Sequence, residues 1–346
     1  MLPSLAPNFE PASTLVGLGM VVVADDLARQ GHFADAAQHL ADMVGKVSLS
    51  GEGLAAVMLR KARYWRRAGQ RAKSAHALHL AEAAARRAHA SVCADLDADC
   101  AMQRARLAYE ADPVGQAHKL DFARLQGHLQ LSTSPRLRWE WANLQGLTLR
   151  RRIEKLMPAS PDRAAALVDA ALQAHSTALY WLVVAQDPYH TQAVVINYAY
   201  LLQRLAALGL KQTLGDAVDA YRLAATITNR FELVEDSAWD YIMLGQLWLE
   251  QPQVREQVRT DARLWPGGFS PADAAFYERA CQLAQAGGDA RQLFEALELQ
   301  AGFLRETGHA RAAARVLTSS EELLTQHPDL SDQVRGKGFR RTRKGG

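Results

Sequence analysis

Apolar residues along this chain recur at steps of three and four, not two, and Gly or Pro interrupts the pattern about once per helix length. Residues 54–68 show the rule. Leu54, Met58, Ala62 and Trp65 form one apolar stripe, and the 100° step puts Arg60, Arg63 and Arg67 on the opposite, solvent-facing side. Five prolines follow Ser or Asp: Asp112-Pro113, Ser134-Pro135, Ser160-Pro161, Asp187-Pro188 and Ser270-Pro271. Ser or Asp at an N-cap accepts a bond from a free backbone N–H, and Pro at the next position lacks only an N–H that would be unpaired anyway. Each pair therefore predicts a helix start. Glycines predict the stops. Arg29-Gln30-Gly31-His32-Phe33, Arg67-Ala68-Gly69-Gln70 and Glu306-Thr307-Gly308-His309 share one layout, in which a periodic segment ends in polar residues, then Gly, then a new Ala-rich segment. The β-branched runs Val21–Val23 and Val194–Ile196 are short and sit inside helix-period patterns, so they predict helix, not strand. The expected fold is all-α: roughly 14 helices of about 10 to 25 residues, arranged as an α-solenoid of stacked antiparallel helix pairs.

Length and composition leave this picture intact. The chain has 346 residues, 49% of them apolar and 22% charged, and Ala, Leu, Arg and Gln dominate. That is a globular composition rich in helix formers. The expected organisation is an N-terminal extension over 1–12, an N-terminal helical-repeat half over 13–158, a C-terminal half over 159–328 and a basic, flexible tail over 329–346. The longest apolar run, Leu15 to Ala24, falls short of a membrane span and is followed by Asp25 and Asp26. Cys93, Cys100 and Cys281 have no framework spacing, which suits a reducing compartment. The expected location is cytoplasmic, with no membrane association.

Several segments resemble the tetratricopeptide repeat. Tyr241-x-x-Leu244-Gly245-x-x-Trp248 matches that family's first-helix pattern. Gly31 followed by Ala36, Leu40 and Met43 is similar to its turn and second helix. So is Gly308 followed by Ala313 and Leu317, with His327-Pro328 where the family places Pro. Gly215, Ala217, Tyr221 and Ala224 match another second helix, and Trp65 before Gly69 fills an aromatic slot. The resemblance covers about half the chain, and the turn glycines at 31 and 69 are spaced wider than the family's repeat. It implies a concave surface that binds a peptide or protein partner.

The search for chemistry finds little. Gly51-Glu52-Gly53-Leu54-Ala55-Ala56 fits a loose dinucleotide fingerprint, but the strand before it would be only Val47-Ser48-Leu49, so a turn opening a helix is the expectation. His89, Cys93, Asp97 and Cys100 share one side of a helix, yet stretch too far along its axis to hold one ion, and buried core cysteines are expected instead. His76 and His79 are expected to be a solvated pair. Asp25 and Asp26 are adjacent on a helix and point apart, which suits a surface or capping role. Trp139, Trp141, Trp181, Tyr221, Trp239, Trp248 and Trp265 are expected to be packing residues. There is no nucleophile elbow, phosphate loop or His-Glu-x-x-His motif, so no catalytic residue, cofactor or metal is assigned and the chain is not expected to be an enzyme.

Charge placement adds one more feature. Net charge is +3, but residues 51–90 hold nine Lys or Arg against two acids, 136–155 hold six against two, and 335–344 hold six with none. The rest of the chain is acidic, so basic patches lie on an acidic body. The candidate contact residues are Arg60, Arg63 and Arg67, then Arg150, Arg151 and Arg152, then Arg340, Arg341, Arg343 and Lys344 in the tail. Two functions are expected: a scaffold or adaptor that binds another protein through its concave surface, or a helical-repeat subunit that holds RNA or DNA phosphates through these patches.

Overall fold

A computed structural model describes residues 15–87, 90–111, 122–132, 134–232, 237–327 and 330. Among them there are sixteen α-helices and no strand. In chain order these are α1 Leu15–Arg29, α2 Phe33–Val44, α3 Gly51–Arg67, α4 Arg71–Ala85, α5 Ala90–Ala111, α6 Phe122–Leu131, α7 Pro135–Leu156 and α8 Pro161–Ala165. The remainder are α9 Val168–Ala185, α10 Pro188–Ala207, α11 Leu214–Phe231, α12 Ser237–Glu250, α13 Arg255–Thr260, α14 Ala274–Gly287, α15 Ala290–Glu306 and α16 Ala310–Gln326. Fourteen of them have ten or more residues. Both β-branched runs lie inside helices, α1 and α10.

The turns follow from the glycines. At Gly31 the chain takes φ +85°, a left-handed conformation that a side chain would strain. Gly31 N–H then donates to Ala28 O and His32 N–H to Leu27 O, which satisfies two carbonyls at the end of α1. The same closure recurs at Gly69 and Gly308, where Gln70 N–H reaches Trp65 O and His309 N–H reaches Leu304 O. The starts at Pro135, Pro161 and Pro188 fall where Ser-Pro and Asp-Pro predict them. Asp112-Pro113 lies outside the described residues. Ser270-Pro271 is a correction: it forms a turn, and the helix begins at Ala274 after an extended Asp273. The reason lies in the long connection after α12, which winds through 3-10 turns at Pro252–Val254, Ala262–Leu264 and Pro266–Gly268. Tyr277 Oη donates to Pro271 O at 2.9 Å, which holds that residue as part of the turn. Residues 51–56 open α3 behind Ser50, whose hydroxyl caps the helix by accepting from Gly53 N–H, and no strand precedes them.

Packing is serial. One apolar cluster joins α1, α2 and α3, the next joins α3, α4 and α5, and a third joins α5, α6 and α7. Two more link α7 through α10, and the largest spans α10 to α15. No pair buries its apolar face alone, which is the physical basis of a solenoid. Alanines at the interfaces (Ala36, Ala77, Ala81, Ala171 and Ala178) are fully buried and let the helices approach closely. Gly245 carries this furthest: a methyl there would stand 2.6 Å from Leu299 Cδ2 and 3.2 Å from Tyr277 Cε1.

The first helices of successive pairs, α1, α3, α5, α7, α10, α12 and α15, touch one another in order. The α14–α15 turn lies against the turns at Gly31 and Gly69, where a methyl on Gly69 would sit 3.8 Å from Asp289 Oδ1. The turn before α15 thus meets the turns after α1 and α3.

Candidate functional site

The inner helices carry a ladder of charge. On α1, Asp25 accepts from Arg60 Nε of α3 at 3.2 Å and from the Tyr64 hydroxyl. On α5, Asp99 accepts from Arg63 of α3 and from Arg136 Nη2 of α7 at 2.7 Å, and Arg136 also holds Glu140 at 2.8 Å. Arg66 of α3 pairs with Glu110 of α5. Further on, Glu154 of α7 binds Arg151 at 3.1 Å and Arg204 of α10 at 3.3 Å, and Arg204 reaches Glu250 of α12 at 3.6 Å. Asp240 of α12 is bonded by Gln192 of α10 and Thr228 of α11. The rungs between inner helices join residues 35 to 50 positions apart and so tie neighbouring pairs together.

Electrostatics follow from burial plus pairing. Burial by itself would push the Asp99 carboxyl up, but the guanidinia of Arg136 and Arg63 more than offset it and hold the group well below the usual carboxylate range. Glu140 and Glu154 are lowered in the same way, against burial, by their surrounding arginines. Such charge pairs cost desolvation and are costly to break singly, so their clearest effect is on which helices pair.

The predicted contact residues are therefore not a free stripe. Arg60 and Arg63 are half-buried in ion pairs, and Arg67 stacks over the Phe33 ring at 4.5 Å. This corrects the solvent-facing expectation: α1, α2 and α5 pack on the side of α3 that periodicity alone assigns to water. The two described basic clusters do converge, since Arg63 and Arg136 share Asp99, but they converge on an acid of the chain itself. Arg151 is half-buried against Glu154, Arg152 is half-buried with its Nε unpartnered, and Arg150 is buried. Arg340, Arg341, Arg343 and Lys344 lie outside the described residues. Asp25 is also corrected, from surface to buried. Its partners Arg60 and Tyr64 lie on another helix, and sequence alone could not align them.

Two buried groups, Arg150 and His175, and the half-buried Arg106 lack the close partners of the ladder. Arg150 is only 6% exposed, and it makes no hydrogen bond or ion pair with a described residue; its guanidinium lies 4.6 Å from the Tyr200 ring centre. Arg106 has a single long bond, 3.5 Å to Glu140 O. His175 of α9 is wholly buried against Gly146 of α7 with both ring nitrogens unpartnered, and burial, aided by Arg150, pushes its pKa down to about 3.

The other predicted groups fall as follows. Cys100 is buried and burial raises its thiol to about 12, as for the half-buried Cys281, so neither is a thiolate near neutrality. His89 and the Cys93 side chain lie outside what is described. His76 and His79 are exposed. Trp65 and Trp139 are buried, as is Tyr221, while Trp141, Trp181, Trp239, Trp248 and Trp265 are half-buried. No group of three or more His, Cys, Asp or Glu side chains among the described residues could hold a metal ion. No described helix is long and apolar enough to cross a membrane.

The outer surface carries a feature that sequence reasoning missed. Near the C-terminal end of α9, Tyr180, Val183 and Val184 are 62%, 73% and 46% exposed. Their i, i+3, i+4 spacing makes one apolar face. Half-buried Trp181 adjoins it, edge-on to Tyr180 at 5.3 Å, with the Arg138 guanidinium 4.8 Å over its ring. The signal was present as Tyr-Trp-Leu-Val-Val, but it reads equally well as core.

No family model matches the chain, and no curated protein matches it.

Proposed function

We propose that this chain is a protein-binding scaffold of tetratricopeptide-like helix pairs, and that it docks its partner on the exposed face of α9. The observation that carries this is the row Tyr180, Val183 and Val184: large apolar side chains exposed on one helix face are what a protein interface covers. Trp181 and Arg138 beside them are residue types that concentrate at interface centres. The inner, concave surface is less suited to a peptide, because its arginines and carboxylates already bind each other. The Gly245 packing and the repeated glycine turns support the repeat reading.

Tyr180→Glu combined with Val183→Glu tests this. Both side chains are exposed, so the variant keeps the helical far-UV spectrum of the parent. Isolated from its native host at native expression level, the parent retains a stoichiometric partner and the variant loses it. A parent that purifies alone, or a variant that keeps the partner, removes the proposal.

A further inference from the structure

Near the C-terminal end of the stack, α14, α15 and α16 leave a cleft of about 310 Å³ between them. Each helix turns side chains spaced by three or four residues toward it. α15 supplies Gln300, Phe303 and Leu304, α16 supplies Arg315 and Val316, and α14 supplies Glu278. One turn earlier on α14 and α16 stand Ala274 and Ala312, whose small side chains leave the room. The floor is fixed, because Phe303 is buried and its ring stacks on Tyr277 at 4.3 Å. Ser320 holds the α16 wall, donating its hydroxyl to Glu298 of α15 at 2.8 Å.

The polar groups of the cleft are not used by the fold. Glu278 and Arg315 are exposed on the α14 and α16 walls, and neither has an ion-pair partner among the described residues, each other included. Gln300 accepts from the Cys281 thiol at 3.6 Å, and its amide NH₂ has no acceptor among the described residues. A carboxylate on one wall, a guanidinium on the other and an amide donor beside an apolar floor match a molecule with both charges at one end and an apolar body at the other. The volume lies at the small end of ligand sites, so the molecule is small. An α-amino acid with an apolar side chain has this chemistry.

We propose that the cleft between α14, α15 and α16 binds a free apolar α-amino acid. Glu278 takes its ammonium group, Arg315 and the Gln300 amide take its carboxylate, and Phe303, Leu304 and Val316 receive its side chain. This site is separate from the α9 face and does not depend on that reading.

L-Leucine, leucinamide and 4-methylpentanoate, at constant ionic strength, are the probes for the full chain. NMR titration shows L-leucine saturating in about the millimolar range, as two exposed and solvent-screened charges allow. Leucinamide lacks the carboxylate and 4-methylpentanoate lacks the ammonium, and each binds about tenfold more weakly. Glu278→Gln weakens L-leucine about tenfold and leaves 4-methylpentanoate unchanged. Arg315→Gln weakens L-leucine about tenfold and leaves leucinamide unchanged. Both positions are exposed, so both variants keep the parent's helical far-UV spectrum. Arg86→Gln, exposed at the end of α4, changes none of these affinities. L-Leucine that does not saturate overturns the site, and so does L-leucine binding that survives both substitutions. Equal binding of the three probes overturns the amino-acid assignment.

Discussion

Replacing Asp99 by Asn keeps the size of the side chain and removes its charge from the point where α3, α5 and α7 meet. Asp99 is 4% exposed and bonded by Arg63 and Arg136. Asn retains one carbonyl oxygen but adds an NH₂ that faces guanidinium donors. Arg136 keeps Glu140 at 2.8 Å, so its loss is partial. Arg63 loses its one described carboxylate. Breaking one side of a buried pair costs about 3–5 kcal/mol. Both arginine side chains are about one-fifth exposed and partly rehydrate, which places the expected cost near the lower end, about 3 kcal/mol. Urea unfolding should show this as a lower midpoint at unchanged slope. The double variant Asp99→Asn with Arg63→Gln should recover part of the loss, since it no longer buries an unpaired charge. Disrupting the exposed pair Glu256–Arg259 should leave the midpoint where it is. If Asp99→Asn costs less than about 0.5 kcal/mol, the ladder does not set the stack and the reasoning fails.

His175 predicts a pH dependence. Its folded pKa of about 3 lies below the unfolded value near 6.5, so its contribution is complete above pH 6.5 and is lost as pH falls toward 3. His175→Leu should flatten the stability profile between pH 6.5 and about 4.5, above the range where Asp99, Glu140 and Glu154 lose their depressed-pKa contributions; an unchanged profile would show that another group titrates there. Gly245→Ala gains helix propensity of about 1 kcal/mol but must displace Leu299 or Tyr277, so a net loss of about 1 kcal/mol is expected in thermal unfolding, and a gain would contradict the packing. For nucleic acid, the engaged state of Arg60, Arg63 and Arg67 predicts that any mobility shift at about 50 mM salt depends on residues 335–346, so that deleting them abolishes it; a shift that survives the deletion would return phosphate contacts to the helices.

Helices and turns were legible because they are local. A Gly in the left-handed region at 31, 69 and 308 and a Pro after Ser or Asp act within four residues, and all three glycines closed their helices as expected. Ser270-Pro271 failed because the long connection after α12 ends in a turn there, with Asp273 N–H donating to Ser270 O and the Tyr277 hydroxyl to Pro271 O. The inner charge pairs were not legible. Asp25 and Arg60, or Glu154 and Arg204, lie 35 and 50 residues apart, and only the stacking of pairs brings them together. The arginine stripe on α3 was visible as a stripe, but periodicity reports two faces of a helix, and in a solenoid both faces can be covered. The α9 row was invisible for the opposite reason: its residues look like core, and nothing local says that no neighbour lies over them.

Site-specific photocrosslinking tests the scaffold reading most directly. A photoreactive residue replaces Val183 on the α9 face, or Ser319 on the exposed side of α16, in the chain expressed in its native host. The account predicts one discrete adduct of defined mass from position 183 and none from 319. Uncrosslinked chain at both positions, or the same mixture of products from each, would contradict it.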